Sequence, residues 1–217
     1  MGFEALALKD FRREHGLLWP DYDERCAAVT FREMSSLPKV LAHVRGRAVV
    51  VQAGGNCGQM ARELAPLFGA VYTFEPDPRN FVCLTVNTAE FPNVHRYQAA
   101  LGKDRALIGL EQGDRKFPAN CGAWYAAGRG SIPTLTIDDL GLEVCDLMCL
   151  DIEGAEAAAI EGALATIRKS KPAIVIESKG LGSRHYGEAA GKAEWILKDT
   201  GYRVAEKLAN DLVLVPA

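Results

Sequence analysis

The 217-residue sequence predicts an α/β fold built around a mainly parallel sheet. In the first half, the apolar run 49–51 is followed by the glycine-rich segment 54–58, a helical pattern and a second apolar stretch, 71–74, which is typical of a β–α–β unit. Apolar strands and helical patterns then alternate along the chain, as parallel sheets require. Only a short turn separates the last two strands, which predicts an antiparallel hairpin at one edge of the sheet.

Residues 1–46 are expected to form an N-terminal helical extension packed on the core, and residues 47–217 the main domain. Pro38 and Gly46 bracket a short amphipathic helix in the extension. In the main domain, Asn56 is expected to cap the first helix, with Gln59 three residues later as in a capping box. Further helices are predicted over residues 78–88, 155–167 and 188–200, and further strands over 94–97, 106–110, 147–150, 173–176, 202–207 and 212–215.

Residues 111–133 lack apolar periodicity and are rich in glycine and aromatic side chains. A segment of this length without secondary structure is usually a lid, a binding loop or disordered. We therefore expect a loop that is mobile without ligands and becomes partly ordered when they bind.

Composition and charge limit the classes of function. The net charge of −3 gives no electrostatic reason to expect a polyanionic partner, so nucleic acid is disfavoured. The six cysteines form no Cys-x-x-Cys pair, and the N-terminal residues lack the apolar stretch of a signal peptide. Reduced thiols in the cytoplasm are expected, with neither a dedicated metal site nor a membrane span. The oligomeric state is left open.

The segment between the first two strands indicates a nucleoside site. Its glycines permit a tight turn and let a ligand approach the backbone amides of a helix N-terminus. Glu75 follows the second strand about 20 residues later, the spacing at which an acidic side chain accepts hydrogen bonds from a ribose diol. The dinucleotide pattern Gly-x-Gly-x-x-Gly does not fit, because Asn56 occupies its second glycine position.

The glycine segment instead forms the pattern polar-x-Gly-x-x-x-Gly, with Gln52 as the polar residue. Five further motifs follow it: FEPDP (74–78), Asn87, TLTIDDL (134–140), LDIEGAE (150–156) and KPAIVIE (171–177). In order and approximate spacing, these motifs resemble the FkbM-type S-adenosylmethionine-dependent methyltransferase family. The resemblance implies a Rossmann-like, seven-stranded methyltransferase sheet with an antiparallel C-terminal strand. It also implies transfer of a methyl group from S-adenosylmethionine to a hydroxyl oxygen of a small molecule or glycan.

The resemblance places the cofactor along the carboxyl ends of the strands. Gln52 departs from the family, in which this position is usually acidic, but its carbonyl could accept a hydrogen bond from the cofactor's amino group. Asp77 either caps a helix or contacts the ligand. Ala99 and Ala100 have small side chains that leave room for an adenine ring. The expected cofactor-binding residues are Gln52, Gly54, Gly55, Asn56, Gly58, Glu75, Pro76, Asp77, Ala99, Ala100 and Asp151.

Asp151 and Glu177 end two neighbouring strands and are candidate catalytic residues. One carboxylate could accept the proton of an acceptor hydroxyl while the other orients it. The same pair could hold a divalent cation, a reading that we disfavour because further ligands for a hard cation are not evident. His185 is an alternative proton acceptor, since its ordinary pKa suits neutral pH.

Candidate acceptor-binding residues are Trp124, Tyr125, Arg184 and Tyr186, although an aromatic residue in a loop often serves only as a packing anchor. Two alternative functions are considered. A nucleic-acid methyltransferase acting on base or ribose is one, yet the Pro-Pro-aromatic and Pro-Cys motifs of base-modifying enzymes are absent. A non-catalytic binding protein on the same fold is the other, and the departure at Gln52 keeps it open.

Overall fold

The computed structural model describes residues 8–113 and 119–217. Its strands are β1 (Phe11–Glu14), β2 (Leu17–Pro20), β3 (Val49–Ala53), β4 (Ala70–Phe74), β5 (Val94–Tyr97), β6 (Ala100–Leu101), β7 (Leu107–Gln112), β8 (Trp124–Leu135), β9 (Leu147–Leu150), β10 (Ala173–Glu177), β11 (Tyr202–Lys207) and β12 (Asp211–Pro216). Its helices are α1 (Cys26–Glu33), α2 (Leu37–Leu41), α3 (Gln59–Leu64), α4 (Pro78–Asn87), α5 (Glu156–Glu161), α6 (Leu164–Ser170), α7 (Leu181–Tyr186) and α8 (Lys192–Asp199).

The central sheet has seven strands in the order β11-β12-β10-β9-β3-β4-β5. The strands from β10 to β5 run parallel, whereas β12 is antiparallel to both β10 and β11. The predicted α/β fold, with a mainly parallel seven-stranded sheet and an antiparallel C-terminal strand, is confirmed. The carboxyl ends of β3, β4, β9 and β10 therefore share one edge with the start of β12.

The core lies on both faces of this sheet because side chains alternate along each strand. In β3, Val50 faces one side, where it packs with helices α3 and α4, and Val51 faces the other, where it packs with α5, α6 and α8. All four residues of β9 are buried. Burial on both faces explains why these strands are continuously apolar in the sequence.

The segment before residue 47 contains the hairpin β1–β2 beside its helices. Asn87, at the end of α4, anchors this hairpin. Its amide oxygen accepts a hydrogen bond from the N–H of Leu18 at 2.7 Å, and its amide nitrogen donates to the carbonyl of Leu18 at 2.8 Å. Trp19 of β2 is fully buried. The extension thus packs on α4 next to the glycine-rich segment.

The prediction of a long loop over residues 111–133 is wrong in its second half. Strand β8 covers most of it and pairs antiparallel with β7, and the register is interrupted by a bulge at Ile108. Most β8 side chains are exposed or half-buried on both faces, so this strand carries no alternation of apolar residues by which it could be recognised. Residues 114–118, which were also assigned to the loop, lie outside the described residues.

Two helix predictions also need correction. The first helix begins at Gln59, and its N-cap is Gly58 rather than Asn56, whose side-chain oxygen instead accepts the N–H of Cys57 at 2.6 Å, before the helix starts. The helix predicted over 155–167 is broken into α5 and α6 around Gly162. The carbonyl of Gly162 accepts the N–H of Asp138 at 3.0 Å, and the Asp138 carboxylate then caps α6 through the N–H of Thr166 at 2.8 Å.

Candidate active site

A cavity of about 480 Å³ opens at the carboxyl edge of the parallel strands. This volume lies within the range of small-molecule sites. The cavity brings together most of the residues selected from the sequence. Those that line it are Gln52, Gly54, Gly55, Asn56, Glu75, Pro76, Ala99, Ala100, Trp124, Asp151, Arg184 and His185.

The remaining candidates, Gly58, Asp77, Tyr125, Glu177 and Tyr186, do not line this cavity. Asp77 caps α4, where its Oδ1 accepts the N–H groups of Arg79 at 3.0 Å and Asn80 at 2.9 Å. Of the two roles considered for Asp77, the structure displays the capping one.

The glycines of the segment after β3 have packing reasons of their own. Gly54 has φ +79°, and a Cβ there would lie 1.8 Å from the carbonyl oxygen of Asp151. Gly58 has φ +88°, and a Cβ there would lie 3.1 Å from Cα of Leu84 in α4. The first contact lets β3 and β9 end side by side, and the second brings the glycine segment against α4. Close backbone packing therefore requires these two glycines whether or not a ligand is bound.

Glu75 joins the ends of β3 and β4. One carboxylate oxygen accepts the N–H of Asn56 at 2.6 Å, and the other accepts the N–H of Asp77 at 2.8 Å. Only 4% of Glu75 is exposed. Burial, reinforced by the Asp77 carboxylate, raises the pKa of Glu75 to about 8, although the two backbone N–H groups favour the ionised form. Glu75 is thus a buried acid at the cavity wall, held in place from two sides.

Gln52 is engaged within the protein. Its amide nitrogen donates to the carbonyl of Gly54 at 2.8 Å, and its amide oxygen accepts the hydroxyl of Thr73 at 2.5 Å. These bonds tie the tip of β3 to β4. The oxygen that could receive a cofactor amino group already has one partner, so Gln52 has less capacity to bind a ligand than its position in the sequence suggests.

Two further amides offer unused acceptors. Gln59 and Asn80 line the cavity and are almost fully buried, and their side-chain oxygens have no hydrogen-bond partner among the described residues. Leaving a buried acceptor unpaired costs about 1–3 kcal/mol. A ligand that donates hydrogen bonds at these two atoms would remove that cost. The sequence contains a signal for both, because each lies in the first turn of the helix that follows a strand of the site.

An acidic group lies at the carboxyl ends of β9 and β10. Oxygens of Asp151, Glu153 and Glu177 lie within 4.8 Å of one another. Asp151 is exposed to the cavity, whereas Glu177 is buried behind it. Burial and the Asp151 carboxylate raise the pKa of Glu177, while Lys179, whose ammonium contacts the Glu177 carboxylate, opposes the shift.

Lys179 and Asp211 were missed by the sequence analysis. Burial alone would lower the pKa of Lys179, but Glu177 and Asp151 raise it above its ordinary value. Asp211 is the register partner of Glu177, and burial, together with Asp151, raises its pKa to about 6. Both residues line the cavity. The position of Asp211 at the site could have been predicted from the sequence. Asp211 begins the antiparallel strand, and the start of such a strand lies at the edge where its parallel neighbours end.

The candidate acceptor residues form an aromatic group on α7 and β8. The ring of Tyr125 stacks on His185 with centroids 4.0 Å apart, and Tyr186 lies edge-on to both rings. Trp124 donates its indole N–H to the Tyr22 hydroxyl at 3.4 Å. Burial and the neighbouring Arg184 lower the pKa of His185, which favours a neutral imidazole. The rings of Tyr125 and Tyr186 pack against His185 and do not line the cavity. Trp124, Arg184 and His185 do line it.

Comparisons with known proteins agree with this architecture. Residues 56–204 match the FkbM methyltransferase domain. The chain belongs to the FkbM methyltransferase domain family. The family recognised in the sequence motifs is thereby confirmed. No curated protein sequence matches the chain significantly.

Three solved structures illustrate the fold. An FkbM methyltransferase from Methylobacillus flagellatus KT has 19% identity and a TM-score of 0.53, over 80% of this chain and 44% of that one. The present FkbM chain thus spans less than half the length of that relative. The N-methyltransferase NodS from Bradyrhizobium japonicum WM9 has 12% identity and a TM-score of 0.52, over 89% and 99% of the two chains. Magnesium protoporphyrin IX methyltransferase from Synechocystis PCC 6803, with bound S-adenosylmethionine, has 13% identity and a TM-score of 0.50, over 89% and 83%.

Among residues 8–113 and 119–217, no helix is long and apolar enough to cross a bilayer.

Proposed function

We propose that this FkbM-family protein transfers a methyl group from S-adenosylmethionine to a hydroxyl oxygen of a small molecule or glycan. The observation that carries the proposal is the presence of two carboxylates of different burial in one cavity at the carboxyl edge of the sheet. Glu75 is buried in the cavity wall, and Asp151 is exposed. Ligands of parallel α/β sheets bind at this edge.

The residues present fit S-adenosylmethionine. Glu75 retains acceptor capacity on both oxygens for the two ribose hydroxyls, because each oxygen has only one backbone partner. The unpaired amide oxygens of Gln59 and Asn80 match a ligand that is rich in N–H donors, as the cofactor's amino groups are. The small side chains of Ala99 and Ala100 line the cavity and leave room for the adenine ring. We assign Gly54, Gly55, Asn56 and Pro76 to backbone contacts around the cofactor.

When bound, the cofactor would supply an electrophilic methyl group to the acceptor oxygen, and its sulfur would leave with the electron pair of the carbon–sulfur bond. Because such a displacement is in line, the chief task of the protein is to align the two reactants. Asp151 takes the hydroxyl proton, because it is the most exposed carboxylate of the acidic group; Glu153 also lines the cavity but is half-buried.

Glu177 and Lys179 act as positioning residues behind Asp151. The Lys179 ammonium contacts Glu177 and offsets part of the negative charge of the acidic group, a role that a divalent cation would otherwise fill. This contact supports the metal-free reading over a divalent metal. His185 and Arg184, with Trp124, are assigned to the acceptor side of the cavity, where a planar ring and a cation can hold a polar acceptor.

Titration calorimetry with S-adenosylmethionine tests the cofactor assignment first, since both enzymatic readings require binding. Methyl transfer from radiolabelled cofactor to hydroxyl compounds and glycans, in parallel with RNA and amine acceptors, then tests the acceptor class. We expect transfer to hydroxyl compounds. This transfer should be lost in the Asp151→Asn variant, and a metal chelator should not inhibit it. Transfer confined to RNA or amines would refute the acceptor assignment while leaving the cofactor assignment intact.

A further inference from the structure

The cavity continues from the carboxyl edge of the sheet onto the face that packs with α3 and α4. Five side chains of the apolar cluster on this face also line the cavity, and we call them the apolar lobe: Leu37, Val40, Met60, Cys149 and Val175. Val175 lies inside the sheet and is still 9% exposed, whereas its register partner Val213 in β12 is fully buried. The cavity therefore reaches apolar side chains on the face of the sheet.

The apolar lobe adjoins the acidic group because side chains alternate along two neighbouring strands. Cys149 in β9 and Val175 in β10 are register partners. Two residues later, on the same face, the chain reaches Asp151 and Glu177, which have carboxylate oxygens within 4.8 Å of each other. Since a strand rises about 3.3 Å per residue, the apolar lobe begins roughly 7 Å from the proposed base.

The apolar lobe is separate from the part of the cavity that is assigned to the cofactor. Glu75 follows β4, and β10 lies three strands away from β4 in the order β10-β9-β3-β4. With about 4.8 Å between neighbouring strands, Val175 lies roughly 14 Å across the sheet from the strand that ends at Glu75. A cofactor that extends from Glu75 toward Asp151 therefore leaves the apolar lobe to the acceptor.

We propose that the acceptor is an alcohol with a mainly aliphatic skeleton, which occupies the apolar lobe while its hydroxyl faces Asp151. This inference rests on the proposed methyl transfer and narrows its acceptor class from small molecules and glycans to aliphatic alcohols. Burial of an aliphatic skeleton against these side chains is favourable. The hydroxyls of a glycan would find only the weak thiol of Cys149 as a hydrogen-bonding partner there, so their burial would be costly.

Two other features of the cavity suit such an acceptor. Met60 has a flexible, unbranched side chain, which can adapt to skeletons of different shape. Arg184 and His185 line the cavity outside the apolar lobe, where they can bind a polar group of the same acceptor.

Titration calorimetry with straight-chain alcohols from 1-butanol to 1-octanol tests the apolar lobe without any methyl transfer. The Kd should fall about fourfold for each added methylene group, which is the effect of removing one CH₂ from water. The heat-capacity change of binding should be negative, as for other burial of apolar surface. Equal Kd values for 1-butanol and 1-octanol would overturn the inference. This series uses the unaltered chain, so it does not depend on the folding of any variant.

Two leucines of α2 provide a matched pair of variants. Leu37 and Leu41 are both half-buried against the same apolar cluster, and only Leu37 lines the cavity. Leu37→Gln should weaken the binding of 1-octanol about 10-fold or more, whereas Leu41→Gln should not. The affinity for S-adenosylmethionine should be the same in both variants. An equal loss of 1-octanol binding in both would contradict the assignment of the apolar lobe.

Transfer of the radiolabelled methyl group to competing acceptors separates this inference from the proposed function. Transfer to aliphatic alcohols in preference to sugars is expected. Transfer to glycans alone would overturn the aliphatic acceptor and leave the proposed methyl transfer intact. A protein that binds 1-octanol but not S-adenosylmethionine would refute the methyl transfer and, with it, the role of the apolar lobe as an acceptor site.

Discussion

Glu75→Ala is the most informative single change for the cofactor site. Each oxygen of Glu75 has one backbone partner, at 2.6 Å from Asn56 and 2.8 Å from Asp77. Because burial raises the pKa of Glu75 to about 8, the titration is made above that pH, where the ionised carboxylate offers about four acceptor positions and one position per oxygen remains for a ribose hydroxyl. The variant removes both of these acceptors.

The expected size of the effect follows from the charge of the acceptor. Hydrogen bonds to charged groups contribute about 1.5–3 kcal/mol each, and part of that is offset by desolvation of the buried carboxylate. We expect a loss of about 2–3 kcal/mol, which corresponds to a Kd about 30- to 160-fold weaker. Titration calorimetry with S-adenosylmethionine measures this directly. Adenosine, which keeps the ribose and lacks the amino acid, should lose a similar factor.

The structure supplies a matched control in Glu156→Ala. Glu156 is also a buried acid that accepts two backbone N–H groups, from Ile152 and Gly154, each at 3.2 Å. It does not line the cavity. Both variants should lose stability through unpaired backbone groups, but only Glu75→Ala should lose cofactor affinity. Unchanged affinity in Glu75→Ala, or an equal loss in the control, would refute the assignment to the ribose.

The remaining predictions concern pH, proton transfer and packing. Burial raises the pKa of Glu75 to about 8 and that of Glu156 to about 7, so the folded protein retains protons that the unfolded chain releases above a pKa of 4.5. The free energy of unfolding should therefore fall as the pH rises from about 5 to about 8, as urea titrations will measure, and a flat profile would contradict these shifts. Asp151→Asn should keep cofactor affinity and slow methyl transfer about 100-fold or more, and a retained rate would assign the proton to His185 or Glu177. Gly54→Ala should destabilise the fold by more than about 1–2 kcal/mol, because its Cβ would meet the Asp151 carbonyl, whereas Gly128→Ala, with φ +57° and nothing within 4 Å, should cost only the left-handed strain. Equal unfolding midpoints for the two glycine variants would show that the contact at Gly54 is unimportant.

The sequence is sufficient to predict the parallel sheet and the edge at which a ligand belongs. Apolar runs such as 147–150 and 173–176 lie in strands that are buried on both faces, which leave little ambiguity about their type or bounds. Glu75 and Asp151 were found because each directly follows such a run. Strand β8 was missed because neither of its faces is buried, so the periodicity that identifies strands is absent.

Other parts of the site depend on contacts between residues distant in sequence. Lys179 is near Asp151 only because β9 and β10 are neighbours in register, and Asp211 joins them because β12 runs antiparallel to β10. The contact between Cys26 and Cys121 is a stronger case, since these residues are 95 positions apart and are joined by the carboxylate of Asp23 and the side chain of Asn56. No spacing rule for neighbouring residues detects such a contact.

The glycine segment shows how one motif can have more than one physical reason. The sequence analysis attributed the glycines to a tight turn and to the approach of a ligand, and at Gly54 the structure adds a packing reason, because the space that a side chain would need is filled by the Asp151 carbonyl. That contact brings the ends of β3 and β9 together and so helps to position Asp151 at the cavity. A glycine that appears to serve the cofactor therefore also positions the proposed base. For this reason a larger residue at position 54 should impair both cofactor binding and methyl transfer, whereas Glu75→Ala should impair binding first.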